Sequence, residues 1–167
     1  AQHVQKQISL ELWSEERGAF VASTELESNR ISLWGNAFAG GSGLATPAQC
    51  EKIFKLFQDR EHDIFFEGQM RQTPAPNFWA ATHTGPNNYQ DGAYWGTPLV
   101  HALEFISRYK SSMACRLLMN AIASFRSHGI NEWIAPTYPA HAQGAPGYVA
   151  TVSQFCFFVK LYYVTSA

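Results

Sequence analysis

The strongest constraint on this chain is an alternation: apolar stripes of helical spacing are joined by connections of two very different lengths. In His3–Trp13, Val4, Ile8 and Leu12 fall at i, i+4 and i+8, one helical face, and Gly18 ends the region. Ile31, Trp34 and Phe38 mark a second face. Gly35, Ala37 and Ala39 are small enough to let a neighbouring helix come close, and Gly40, Gly41 and Gly43 break the segment. A third helix begins with Thr46 as N-cap, Pro47 at its first position and Gln49 completing a capping box; Ile53, Leu56 and Phe57 form its buried stripe, up to about Asp59. Thr97-Pro98 opens a fourth, with Leu99, Leu103 and Ile106 inward. Ser111 or Ser112 caps a fifth, lined by Met113, Leu117, Ala121, Ser124 and Phe125 and stopped by Gly129. Tyr148–Tyr163 is the sixth, through Val152, Phe155 and Val159. The turns Gly43–Thr46 and Lys110–Ser112 are short, whereas Arg60–Gly96 and Ile130–Gly147 are long. Six helices joined in this way predict an all-α chain of antiparallel hairpins, with its long loops at one end of the stack.

Those long loops hold the chemistry. The chain has five Trp, seven Tyr and twelve Phe, and many of them sit beside Gly, Pro, Asn and Gln rather than in periodic segments. Aromatic faces stack on the C–H faces of sugars, and amides give hydroxyls directional partners. For any single aromatic the competing reading is a plug in the core. Connections as long as Arg60–Gly96 are usually functional or disordered, and the aromatics argue against disorder. A net charge of -1 offers nothing to a phosphate backbone, so nucleic-acid binding has no support. No apolar run approaches the roughly 18 residues that a membrane helix needs. The start at Ala1 carries no signal-peptide pattern and reads as processed or truncated. Cys50, Cys115 and Cys156 have no ligand spacing and are expected as three buried thiols, which leaves the compartment open. The six histidines show no HxxxH or HxH spacing, so no metal is expected. Absent GxSxG, GxGxxG and Walker-type patterns, neither an activated serine nor a nucleotide cofactor is expected.

Tyr89-Gln90-Asp91-Gly92-Ala93-Tyr94-Trp95 resembles the Y-x-[ND]-G-x-x-W segment of the six-hairpin glycosidases, the superfamily of trehalases, neutral invertases, processing glucosidases and rhamnosidase-like enzymes. Trp34-Gly35-Asn36-Ala37-Phe38-Ala39 with Gly43-Leu44 resembles a helix preceding one of their hairpin turns. Gly68, Arg71 and Pro74 fall where such residues often stand in the connecting loop. Gly129-Ile130-Asn131-Glu132-Trp133 resembles the loop that carries their catalytic base, and Gly147-Tyr148-Val149-Ala150 the start of the next inner helix. The resemblance spans roughly residues 10–160. It implies a single domain over 1–167 forming part of an (α/α)6 toroid, the C-terminal half of a larger domain. It also implies a carbohydrate ligand, no cofactor, and the missing half of the toroid as a partner.

The residues themselves suggest roles. Glu132 lies between an amide that can orient it and an indole that lowers the polarity around it, as suits a general base that positions water; the plain alternative is a solvated loop carboxylate. Tyr89, Gln90, Gly92, Tyr94, Trp95, Asn131 and Trp133 are expected to line the substrate. Asp91 stands where relatives mostly have Asn, so it is read as contacting a sugar hydroxyl, with general acid as the lesser option and an Asx turn over Gly92 as the structural one. Arg71, near Gln69 and Gln72, binds hydroxyls or pairs with a helix C-terminus. No general acid is evident, because Glu15, Glu16, Glu25, Glu27 and Glu67 have ordinary surface contexts. Three functions remain: part of an inverting glycoside hydrolase acting on an oligosaccharide or glycoside, a non-catalytic sugar-binding or scaffold relative, or a sugar epimerase or lyase using His83, His141 or Tyr138. The hydrolase reading expects Tyr89, Asp91, Trp95, Glu132 and Trp133 to meet in one pocket.

Overall fold

The computed structural model describes residues 2–25, 30–76, 78–79, 84–135 and 142–159. The helices are α1 (Gln2–Leu12), α2 (Leu33–Ser42), α3 (Pro47–Asp59), α4 (Glu61–Ile64), α5 (Leu99–Ser107), α6 (Ser111–His128) and α7 (Val149–Val159). The strands are β1 (Trp13–Ser14), β2 (Ala19–Phe20), β3 (Phe65–Phe66), β4 (Gln69–Arg71), β5 (Tyr94–Trp95), β6 (Asn131–Ile134) and β7 (Ala142–Pro146).

Local chemistry explains the best-formed elements. Thr46 Oγ1 accepts the Gln49 N–H at 3.3 Å while Gln49 Oε1 accepts the Thr46 N–H at 2.9 Å, so α3 opens on the expected capping box. Ile53 and Phe57 are fully buried beneath it. Helix α6 ends at Gly129, and Met113, Leu117, Ala121 and Ser124 are buried along it as their spacing predicts. Helix α2 departs from expectation. It runs through Gly40 and Gly41 and stops only at Gly43, whose φ of 77° is the left-handed conformation of a helix terminator. Its buried face is Leu33, Asn36, Ala37, Ala39, Gly40 and Gly41, while Phe38 is 48% exposed. Small residues win that face because α5 packs closely: a Cβ on Gly40 would lie 2.5 Å from the Phe105 ring. Buried Asn36 is satisfied by Phe20, donating to its carbonyl and accepting its N–H, both at 2.8 Å.

The all-α expectation is overturned, and with it the partial toroid of helical hairpins. The fold is mixed, and the two long connections between helices supply a five-stranded antiparallel sheet in the order β3-β4-β5-β6-β7. Much of the 60–96 segment is buried, and a buried backbone has to pair its N–H and C=O groups; the sheet is how these pair. Glu67 (φ 49°) and Gly68 (φ 73°) turn β3 into β4 with two left-handed residues, the geometry of a tight hairpin, and Gly68 presses against the α6 backbone at Leu117 and Ala121. The core lies between the helices: α2 packs on α5, α5 on α6, and Phe57 and Phe105 meet edge to face at 5.9 Å.

Cys50 is buried, but Cys115 and Cys156 are exposed, contrary to expectation; both project from helices on faces turned away from the core. No helix among the described residues is long and apolar enough to cross a membrane.

Candidate functional site

The sheet brings residues far apart in sequence to one edge of β5, β6 and β7. Opposite Glu132, β7 carries one more residue than β6: Asn131 pairs with Pro146 and Trp133 with Gln143, so Gly144 and Ala145 share the interval facing a single residue. Gly144 has φ 71°, as the left-handed position of such a bulge requires. The Ala145 N–H donates to Glu132 Oε2 at 3.2 Å, and the Tyr89 hydroxyl donates to Glu132 Oε1 at a long 3.4 Å. Around this carboxylate the rings meet edge to face: Tyr89 with Trp133 at 6.3 Å, Tyr89 with Trp95 at 5.0 Å, and Trp95 with Tyr148 at 6.3 Å. Tyr89 is 37% exposed, Trp133 and Tyr148 are half-buried, and Trp95 is buried beneath them. Among the described residues, no Lys or Arg is ion-paired with Glu132. Burial, then the negative charge of Glu132, pushes the Tyr89 phenol up from its ordinary pKa, so it stays a proton donor well into alkaline pH.

The other expected contact residues hold this arrangement from behind. Asp91 is 2% exposed; its Oδ1 accepts the Trp79 N–H at 2.6 Å, its own N–H donates to the Asn88 carbonyl, and its carbonyl accepts the Asn87 N–H. Arg71 is 3% exposed. It is ion-paired to Asp63, donates to Asn87 Oδ1 at 2.8 Å and, through Nε and Nη2, to the Gly92 carbonyl at 3.1 and 2.9 Å. The Tyr94 ring lies under the Arg71 guanidinium, 4.7 Å from its carbon, and the Tyr94 hydroxyl donates to the Asp63 carbonyl at 3.0 Å. Gly92 has φ 105° and lies against Phe78, which a Cβ there would approach to 2.6 Å. Asn131 donates to the His128 and Gly129 carbonyls and so caps α6. Gln90 is half-buried at the turn.

Of the five residues expected in one pocket, Trp95, Glu132 and Trp133 each touch Tyr89, while Asp91 is held in the turn behind it. Neither of two described hollows, of about 380 and 290 Å³, is lined by any of them. One is lined by Glu67, Asn120, Ser124 and His128 among others, the second by apolar side chains including Ile8, Leu12, Phe20 and Phe38. Sequence reasoning missed three members of the cluster: the Gly144 bulge, the Ala145 amide and the Tyr148 ring. The sequence marks Tyr148 only as part of the start of the next helix, and nothing in it marks Gly144 or Ala145. His83, His141 and Tyr138, the positions that would favour an epimerase or lyase, lie outside the described residues, as does Glu27. Among the described residues, no group of three or more His, Cys, Asp and Glu is placed to hold a metal.

No protein-family model matches the chain, and no curated protein matches it. Solved structures do match. One is the crystal structure of the GH63 mannosylglycerate hydrolase from Thermus thermophilus in complex with glucose, with a TM-score of 0.70 and 15% sequence identity over 92% of this chain. The likeness is one of fold, and the chain spans 38% of that hydrolase's length.

Proposed function

We propose that this chain is part of a glycoside hydrolase acting on an oligosaccharide or glycoside by inversion, with Glu132 as the general base. The observation that carries the reading is the setting of Glu132: a carboxylate without a paired cation, held by one phenol and one amide at the foot of exposed and half-buried aromatic rings. A base neutralised by Lys or Arg is a poor proton acceptor, and this one is free of that defect among the described residues. Each oxygen of Glu132 accepts one hydrogen bond and keeps capacity for a second, from a water to be activated. Trp133 and Tyr89 offer ring surface to the apolar face of a sugar. The shared fold with a glucose-bound hydrolase agrees with a carbohydrate ligand.

A second reading is a sugar-binding relative without catalysis. One observation favours it: Asp91, the sequence's candidate for the second carboxylate, is buried and bonded to Trp79 N–H, so it is poorly placed to protonate a leaving group. In the full-length protein, Glu132→Gln separates the two. For a hydrolase, release of nitrophenol from a panel of nitrophenyl glycosides falls by at least about a hundredfold, because a lost general base typically removes that much, while sugar binding persists. Unchanged turnover in this variant sinks the base assignment. No turnover in the wild type, with binding intact, selects the second reading.

A further inference from the structure

Two features of the site go beyond naming a base. The first is the strand facing Glu132. A Cβ on Gly144 would lie 2.5 Å from Glu132 Oε2 and 2.7 Å from Glu132 Cβ, so the glycine leaves the space that the carboxylate occupies, and the next amide donates into it. The second is the backbone of Tyr89. Its φ of 48° is left-handed, a conformation that bulky side chains rarely adopt and that persists only where the surroundings over-determine it. Here they do. Arg71 ties down both ends of the turn through Asn87 and Gly92, Asp91 fixes Trp79 against it, and the Tyr89 carbonyl accepts the Trp95 indole N–H at 3.2 Å and the Ala93 N–H at 3.1 Å. This bracing directs the phenol to Glu132.

We propose that Tyr89 is a positioning residue for Glu132: its hydroxyl on Oε1 and the Ala145 amide on Oε2 clamp the carboxylate in one orientation, with a lone pair presented to water. The role rests on Glu132 being the base. The Tyr89 contact is a long hydrogen bond at 3.4 Å, and the braced turn sets its direction. The groups facing the phenol are Glu132 and Tyr148, with the Trp95 and Trp133 rings beside it. The negative carboxylate opposes a second negative charge on the phenol, so the proton that Tyr89 donates remains in place.

The test has two arms, both on the full-length protein. In the first, Tyr89 is titrated by NMR of the labelled tyrosine ring carbon bearing the hydroxyl, in the wild type and in Glu132→Gln. Removing the charge lets Tyr89 ionise at lower pH; an unchanged titration overturns the coupling. This arm needs neither sugar nor turnover. In the second, Tyr89→Phe keeps the ring and removes the hydroxyl. It lowers kcat about tenfold, the worth of one hydrogen bond to a charged group, with KM unchanged. Tyr89→Ala also raises KM, because the ring is lost. Wild-type kcat in Tyr89→Phe beside an inactive Glu132→Gln overturns the positioning role alone. Full activity in Glu132→Gln overturns the base reading and the positioning role with it.

Discussion

Arg71 has the donor fork to bind sugar hydroxyls, yet its contacts lie inside the fold. Its ion pair with Asp63 and its bonds to Asn87 and Gly92 join β4 to the turn that bears Tyr89. Asp63 is partly exposed and keeps its ion pair with Arg60, so the cost of removing Arg71 comes mainly from the acceptors left unpaired at Asn87 and Gly92. Arg71→Ala should therefore lower the unfolding free energy by about 2–3 kcal/mol in urea titration. Arg71→Lys should recover little of it, because an ammonium cannot reproduce the planar fork. A loss below about 1 kcal/mol, the range of exposed pairs, would contradict this placement. The sequence shows the chemical type of Arg71 and Asp91 but not the direction in which they point. Asp63, the partner that decides the matter for Arg71, stands eight residues earlier in a segment without a motif. Trp133 and Glu132, by contrast, do meet Tyr89 as their pattern suggests.

At the scale of elements, helices with their own punctuation were legible and the sheet was not. Thr46, Pro47 and Gln49 announce α3, and Gly129 ends α6, because caps are local chemistry. Strands β3 and β5 have two residues each, too few to display an alternation, and they are recruited by partners up to 40 residues away. The signal that existed was Glu67-Gly68, a two-residue turn between Phe65-Phe66 and Gln69-Met70. Helix α2 teaches the reverse lesson. A large-residue stripe of Ile31, Trp34 and Phe38 suggests its inner face, but contact distance to α5 selects glycine and alanine. Gly40→Ala tests this directly. It would raise helix propensity by about 1 kcal/mol at an exposed site, whereas here the methyl meets the Phe105 ring. We expect net destabilisation of about 1–3 kcal/mol in thermal or urea melts; a stabilised variant would show that α2 and α5 do not approach as described.

At the scale of the molecule, the alternation of short and long connections singled out the two loops that the structure brings together, although not that they pair as strands. Tyr89 and Glu132 are 43 residues apart and meet because their two loops pair as strands of one sheet. The helical core supplies rigidity, and the sheet delivers one carboxylate and its rings to a common edge. On the proposed function, this edge receives a sugar. The most direct measurement is a glucose titration followed through the indole and amide N–H signals of the chain. Saturable shifts are expected at the Trp133 and Trp95 indoles and the Ala145 amide, retained in Glu132→Gln and abolished in Trp133→Ala. No saturable shift, or shifts confined to the apolar hollow beside Phe38 and indifferent to Trp133→Ala, would contradict it.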